Sequence, residues 1–203
     1  MKKLLVLFIT ALTLNVSAEG EATKDVFITP GVISIDINHQ DKIVKLQRNQ
    51  DQDNEISDFY LRTTRGKVQP MHPFAPHLVE TIDELDVIDY VKKRSDGDES
   101  ILVIDTRTPN WLVFTGAIPT AINIPYTQFK NKEKALEIME DQMGVQADDV
   151  FDFSYAKTLV MYCNGIWCGQ TPAAVKALLK YGYPAAKIKY YRGGMNAWKS
   201  LGN

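Results

Sequence analysis

Two short runs, Ile101-Leu102-Val103-Ile104 and Leu159-Val160-Met161-Tyr162, are apolar at every position rather than at alternate ones. A strand with no polar face must be covered on both sides, as in a parallel sheet with helices packed against each face. Helical patterns flank both runs. Ile82, Leu85, Val87, Ile88 and Val91 form one stripe, for which Thr81 and Glu84 supply a capping-box spacing. A second helix is predicted over Lys132 to Met143. A third opens at Thr171-Pro172, with Thr171 as N-cap, a packing face at Ala173, Val175, Ala177, Leu178 and Leu179, and Gly182 as its end. Ile188 to Tyr191 reads as a last strand, before Gly193-Gly194 and a short helix around Met195 to Trp198. Strands alternating with helices predict an α/β domain with a mainly parallel sheet over 81–203.

The residues before Thr81 follow a different pattern. Lys2 and Lys3, the apolar run Leu4 to Val16 and the small residues of Val16-Ser17-Ala18 have the order of a cleavable signal peptide over 1–18. The run has 13 residues, short of the ~20 needed to span a bilayer. No cysteine lies near the cut, so no lipid anchor is predicted. The mature chain is expected to begin near Glu19, in the periplasm. Residues 19–80 read as a small appended segment. Val32 to Ile37 and Ile43 to Leu46, separated by the turn formers Asn38-His39-Gln40-Asp41, predict a β-hairpin. The rest is irregular, and three prolines among Gln69 to Pro76 exclude a helix or central strand there.

The chain has two cysteines, Cys163 and Cys168, too few and too close for a disulfide framework. The segment Cys163-Asn164-Gly165-Ile166-Trp167-Cys168-Gly169-Gln170-Thr171 joins a buried strand to a helix N-terminus. Ligands of open α/β sheets bind at that end of the strands. Unpaired N–H groups and the helix dipole favour a thiolate, so the Cys163 pKa is expected to fall. Gly165 and Gly169 let the backbone close around the sulfur. Cys163 is therefore the candidate nucleophile. Cys168 is either a resolving thiol, a neighbouring loop residue or half of a resting disulfide. A formal net charge of -2 excludes a broad basic field for nucleic acid. His39, His72 and His77 lack ligand-like spacing, so no metal or other cofactor is expected. The acidic pair Asp148-Asp149 reads as a solvated helix end.

Four stretches resemble the rhodanese family in order and spacing. Ile104-Asp105-Thr106-Arg107 is similar to its strand-ending Asp-x-Arg, and Gly116-Ala117-Ile118-Pro119-Thr120-Ala121-Ile122-Asn123-Ile124-Pro125 to its Gly-His-Ile-Pro-Gly-Ala-x-Asn-Ile-Pro signature. Val160 to Cys163 stands where the catalytic cysteine follows its strand, and Tyr191 to Trp198 resembles the closing Gly-Gly-x-x-x-Trp. The resemblance implies a doubly wound, mainly parallel sheet with helices on both faces. It also implies a persulfide on Cys163, loaded from a small sulfur-containing donor or a protein persulfide and passed to a thiol or other thiophilic acceptor. Ala117 and Thr120 depart from the signature, and Cys168 stands where many relatives carry Arg. No cation lies between Cys163 and Thr171. An anionic donor would then need backbone N–H groups with Arg107 or Arg192 nearby, which puts thiosulfate in doubt. For Arg107, beside Asp105, a structural role is expected instead. Trp167 is a candidate apolar wall over the sulfur, and Trp198 a core residue. The competing functions are a thiol–disulfide redox pair and a non-catalytic binding module. A phosphatase or arsenate reductase is disfavoured by the missing loop arginine.

Overall fold

The computed structural model of the chain describes residues 25–147 and 150–202. The expected signal peptide and the Asp148-Asp149 pair lie outside them. The first strands of the described residues form an antiparallel hairpin, β1 (Ser34–His39) and β2 (Lys42–Gln47). Gln40 and Asp41 both take positive φ, 50° and 61°, the geometry of the tight turn that matches strand twist. After an irregular stretch come β3 (Glu80–Ile82), α1 (Glu84–Ser95), β4 (Ile101–Asp105), α2 (Asn110–Thr115) and β5 (Ile122–Asn123). Then follow α3 (Lys132–Met143), a small antiparallel pair β6 (Gln146–Ala147) and β7 (Phe151–Asp152), and β8 (Thr158–Tyr162). The chain closes with α4 (Gln170–Lys180), β9 (Ile188–Tyr191) and α5 (Gly194–Ser200).

Five strands form a parallel sheet in the order β3-β9-β8-β4-β5. Their side chains alternate between two buried clusters, which is why the central runs are apolar throughout. Leu102, Ile104, Leu159, Met161, Ile188 and Tyr190 face α3 and α4. Ile101, Val103, Val160, Tyr162 and Tyr191 face α1 and α5, with Val87, Val91, Met195 and Trp198. The hairpin adds Ile37 and Leu46 to that second cluster. The sheet is the α/β arrangement expected from the sequence, with helices on both faces and a hairpin ahead of it.

Three local expectations need correction. Thr81 does not cap α1: it pairs with Tyr190 as a strand residue. Asp83 is the cap, accepting from Leu85 and Asp86 N–H while Asp86 returns a bond to its backbone. Both Thr81-x-x-Glu84 and Asp83-x-x-Asp86 have capping-box spacing, and the later one wins because Glu80–Ile82 completes the sheet edge. Thr171 likewise lies inside α4, whose N-cap is Gly169. Its hydroxyl instead meets Thr106 Oγ1 at 2.7 Å, below the sulfur loop. The signature stretch, to which the sequence assigns no element, holds edge strand β5.

Candidate functional site

Strand β8 ends at Tyr162, so Cys163 emerges at the carboxyl edge of the sheet, between the strand and α4. Two neighbouring elements hold the turn from behind. The N–H groups of Met195 and Asn196 donate to the carbonyls of Cys163 and Asn164, both at 2.9 Å. This approach explains the Gly-Gly pair: Gly194 has φ +57°, and a Cβ there would run into the Cys163 carbonyl. Below, Thr106 donates through Oγ1 to the Tyr162 carbonyl at 2.8 Å.

Asp105 and Arg107 belong to the frame. Both side chains are fully buried. Arg107 Nε donates to the Asp105 carboxylate at 2.9 and 3.0 Å, Nη1 to Thr115 Oγ1 at 2.7 Å, and Nη2 to the Gly116 carbonyl at 2.6 Å. Each guanidinium nitrogen is thus engaged with the protein. Asn123 seals the corner by donating to the carbonyls of Asp105 and Arg107, both at 2.9 Å.

Around the sulfurs, both cysteines are free thiols. Cys163 is 2% exposed and Cys168 8%, so Cys168 is the one nearer solvent. The Cys163 thiol donates to the Cys168 carbonyl at 3.6 Å, and the Cys168 thiol to Gln170 Oε1 at 3.6 Å. The thiolate expected on Cys163 is not what the resting pair favours. Burial pushes the Cys163 thiol well up, and hydrogen bonding with Cys168 adds to the rise. Hydrogen bonding of the Cys163 side chain to the Cys168 side chain, the largest effect, draws Cys168 down to about 7, helped by the Asn164 and Gln170 N–H groups. The α4 N-terminus does not offset the cost of burying a charge on Cys163. The two shifts run in opposite directions, so the site favours a thiolate on Cys168 over one on Cys163. Titration of the ultraviolet thiolate absorbance should show a first step near pH 7. Cys163→Ala, which removes the donor, should move that step toward the free thiol value of ~8.5. A wild-type step already in the ordinary range would contradict the shared-proton arrangement.

The remaining loop residues are spread over distinct tasks. Asn164 is buried, and its Oδ1 accepts from the Tyr60 hydroxyl at 3.4 Å. Gly165 lies under the Trp167 ring, where a Cβ would come within 2.8 Å of it. Trp167 packs on the second core cluster. Ile166 is partly exposed, and its carbonyl accepts from Gln69 N–H at 2.7 Å.

Sequence reasoning missed the contribution of the irregular stretch before β3, which crosses the loop as a strap. Tyr60 bonds Asn164 and Gln69 bonds Ile166. The Gly66 backbone, at φ +47°, closes on the Trp167 carbonyl. Arg65 lies over the rings of Trp111 and Trp167, at 5.8 and 6.0 Å from their centroids. Arg192, a candidate anion ligand, donates through Nε to the Gln69 carbonyl at 2.9 Å and so anchors the strap. The only sequence signal for this was a run with neither helical nor strand periodicity yet with Phe74, which is buried against Tyr190.

Residues 87–201 match the family model described as the rhodanese-like domain. Among solved structures, the chain is similar to a single-domain sulfurtransferase of Saccharomyces cerevisiae, at 20% identity over 64% of this chain and 95% of that one, with a TM-score of 0.45. It is similar to a rhodanese-related protein of Thermoplasma volcanium at 24% identity, covering 61% and 93%, with a TM-score of 0.40. A human single-domain sulfurtransferase matches at 18% identity, covering 60% and 96%, with a TM-score of 0.39. A search of curated proteins returns no match.

Proposed function

The chain belongs to the rhodanese-like domain family, and from that premise we propose that it is a periplasmic sulfane-sulfur carrier with Cys163 as its acceptor. The observation that carries this reading is the placement of a thiol at the end of β8, backed by α5 and beside the α4 N-terminus. Next to it stands a second thiol drawn down to about 7, whose thiolate is present near neutral pH to receive the Cys163 proton. Cys163 attacks the outer sulfur of a donor RS–SH as its proton passes to the Cys168 thiolate. The new bond joins Cys163 to that sulfur, the sulfur–sulfur bond of the donor breaks, and RS⁻ departs with the electron pair. A thiolate acceptor then takes the outer sulfur and returns Cys163 as a thiolate. The absence of a cation between Cys163 and Thr171, with Arg107 engaged in the frame, favours a persulfide or polysulfide over thiosulfate as donor. The charged start and apolar run of residues 1–18 support export.

Single-turnover transfer tests the carrier reading. Protein loaded with glutathione persulfide, freed of donor and then given cyanide, should return to its unloaded mass and release one equivalent of thiocyanate. The adjacent free thiols also favour a second reading, a Cys163/Cys168 redox pair. A reversible loss of two hydrogens on mild oxidation, with no sulfur gain from any donor, would establish that reading instead.

A further inference from the structure

Tyr190 is 1% exposed, and its hydroxyl has no hydrogen-bond partner among the described residues. Buried polar groups are satisfied in the great majority of cases, so an orphan at a site needs an explanation. Its location supplies one. Tyr190 pairs with Met161 across β8 and β9, and both belong to the cluster that faces α4. Side chains alternate along a strand, so Cys163, two residues beyond Met161, emerges on the same face as Tyr190. The ring is held edge-on against Phe74, with centroids 5.3 Å apart, which fixes where the hydroxyl can go. Burial pushes its pKa well up, and of the neighbouring ionisable groups that act on it Cys163 weighs most, ahead of Arg192 and Cys168. The phenol therefore stays protonated beside the cysteine pair, a donor with nothing to donate to.

We propose that the Tyr190 hydroxyl donates a hydrogen bond to the outer sulfur of a Cys163 persulfide, and so stabilises the loaded form over the empty one. This rests on the reading of Cys163 as the sulfur carrier. Loading adds one heavy atom beyond Sγ, and with it a negative charge that needs a donor. The hydroxyls of Thr106 and Thr171 are already paired with one another or with the backbone, and Arg107 is paired in the frame. Beside the loop N–H groups that reach the sulfurs, the phenol is the side-chain donor left without a partner on that face.

The test is a loading equilibrium. Wild type and Tyr190→Phe are equilibrated with defined ratios of glutathione persulfide to glutathione, and the loaded fraction is read by intact-protein mass spectrometry. In this exchange the outer sulfur leaves glutathione for Cys163, and a glutathione thiolate departs. Tyr190→Phe should need about a tenfold higher ratio for half-loading, the size of one hydrogen bond to a charged group. The empty variant should melt no lower than wild type, because the lost hydroxyl had no partner. An unchanged half-loading ratio would overturn the proposal, as would a clearly lower melting point of the empty variant. In wild type labelled at tyrosine Cζ, the Tyr190 carbon resonance should shift on loading; no shift would also overturn it. A wild type that takes up no sulfur from the persulfide buffer sinks this inference and the carrier reading together. Loading with an unchanged ratio removes only the role of Tyr190.

Discussion

Arg107→Ala is expected to lower the unfolding free energy by about 3–5 kcal/mol, the cost of breaking a buried ion pair by removing one partner. The substitution leaves the Asp105 carboxylate buried without its counter-charge, and strips donors from Thr115 Oγ1 and the Gly116 carbonyl. The loss reaches the site, because Asp105 ends β4 and pairs with Tyr162, the residue before Cys163. Urea denaturation measures it as a lower midpoint with an unchanged slope. The double change Asp105→Leu with Arg107→Met should recover part of the loss, since an apolar pair carries no unpaired charge. A single variant within about 1 kcal/mol of wild type would show that Asp105 finds other partners.

Gly194→Ala should damage the site more than the fold. At φ +57° an alanine sits in the left-handed region, and its Cβ meets the Cys163 carbonyl, Gly165 N and the Asn164 carbonyl carbon. Strain of this kind costs about 1–3 kcal/mol. It is relieved by pushing the cysteine turn off the α5 N–H groups, which breaks the bonds from Met195 and Asn196. The expected result is a modest drop in thermal midpoint together with a drop of tenfold or more in the rate of sulfur loading, consistent with about 1.4 kcal/mol or more at the reacting centre. Equal loading rates in the two proteins would mean that the turn tolerates displacement.

The sheet was legible because β4 and β8 are buried on both faces, and burial of that kind leaves no polar alternation in the sequence. Helix α3 was legible in its approximate extent, and Asn131 as its cap and Gly144 in the left-handed conformation set its ends. Its buried residues Ala135, Ile138, Met139 and Met143 keep the helical spacing. Boundaries failed where two signals overlapped, as with Thr81 and Asp83, or where a hydroxyl had a better tertiary partner, as with Thr171 and Thr106. Edge strand β5 was missed because two residues have no period to read. Cysteine placement followed from the strand–loop–helix pattern, but the acidity of the pair did not. Burial raises Cys163 and its hydrogen bond lowers Cys168, and neither quantity is local in sequence. The strap escaped for a similar reason. It meets the loop partly through the Gln69 backbone, whose N–H and C=O are common to most residue types, and partly through Arg65, which lies a hundred residues before Trp167. Tyr190 looked like one more apolar strand residue, and only its unpaired hydroxyl sets it apart.

The most direct test of the account is the intact mass of reduced protein before and after glutathione persulfide, with Cys163→Ser and Cys168→Ser alongside. Cys163 as the sulfur acceptor predicts a gain of about 32 Da, one sulfur atom, that vanishes in Cys163→Ser and persists, though formed more slowly near neutral pH, in Cys168→Ser, which lacks the thiolate that takes the Cys163 proton. A gain that survives in Cys163→Ser, or no gain in any of the three proteins, would contradict it.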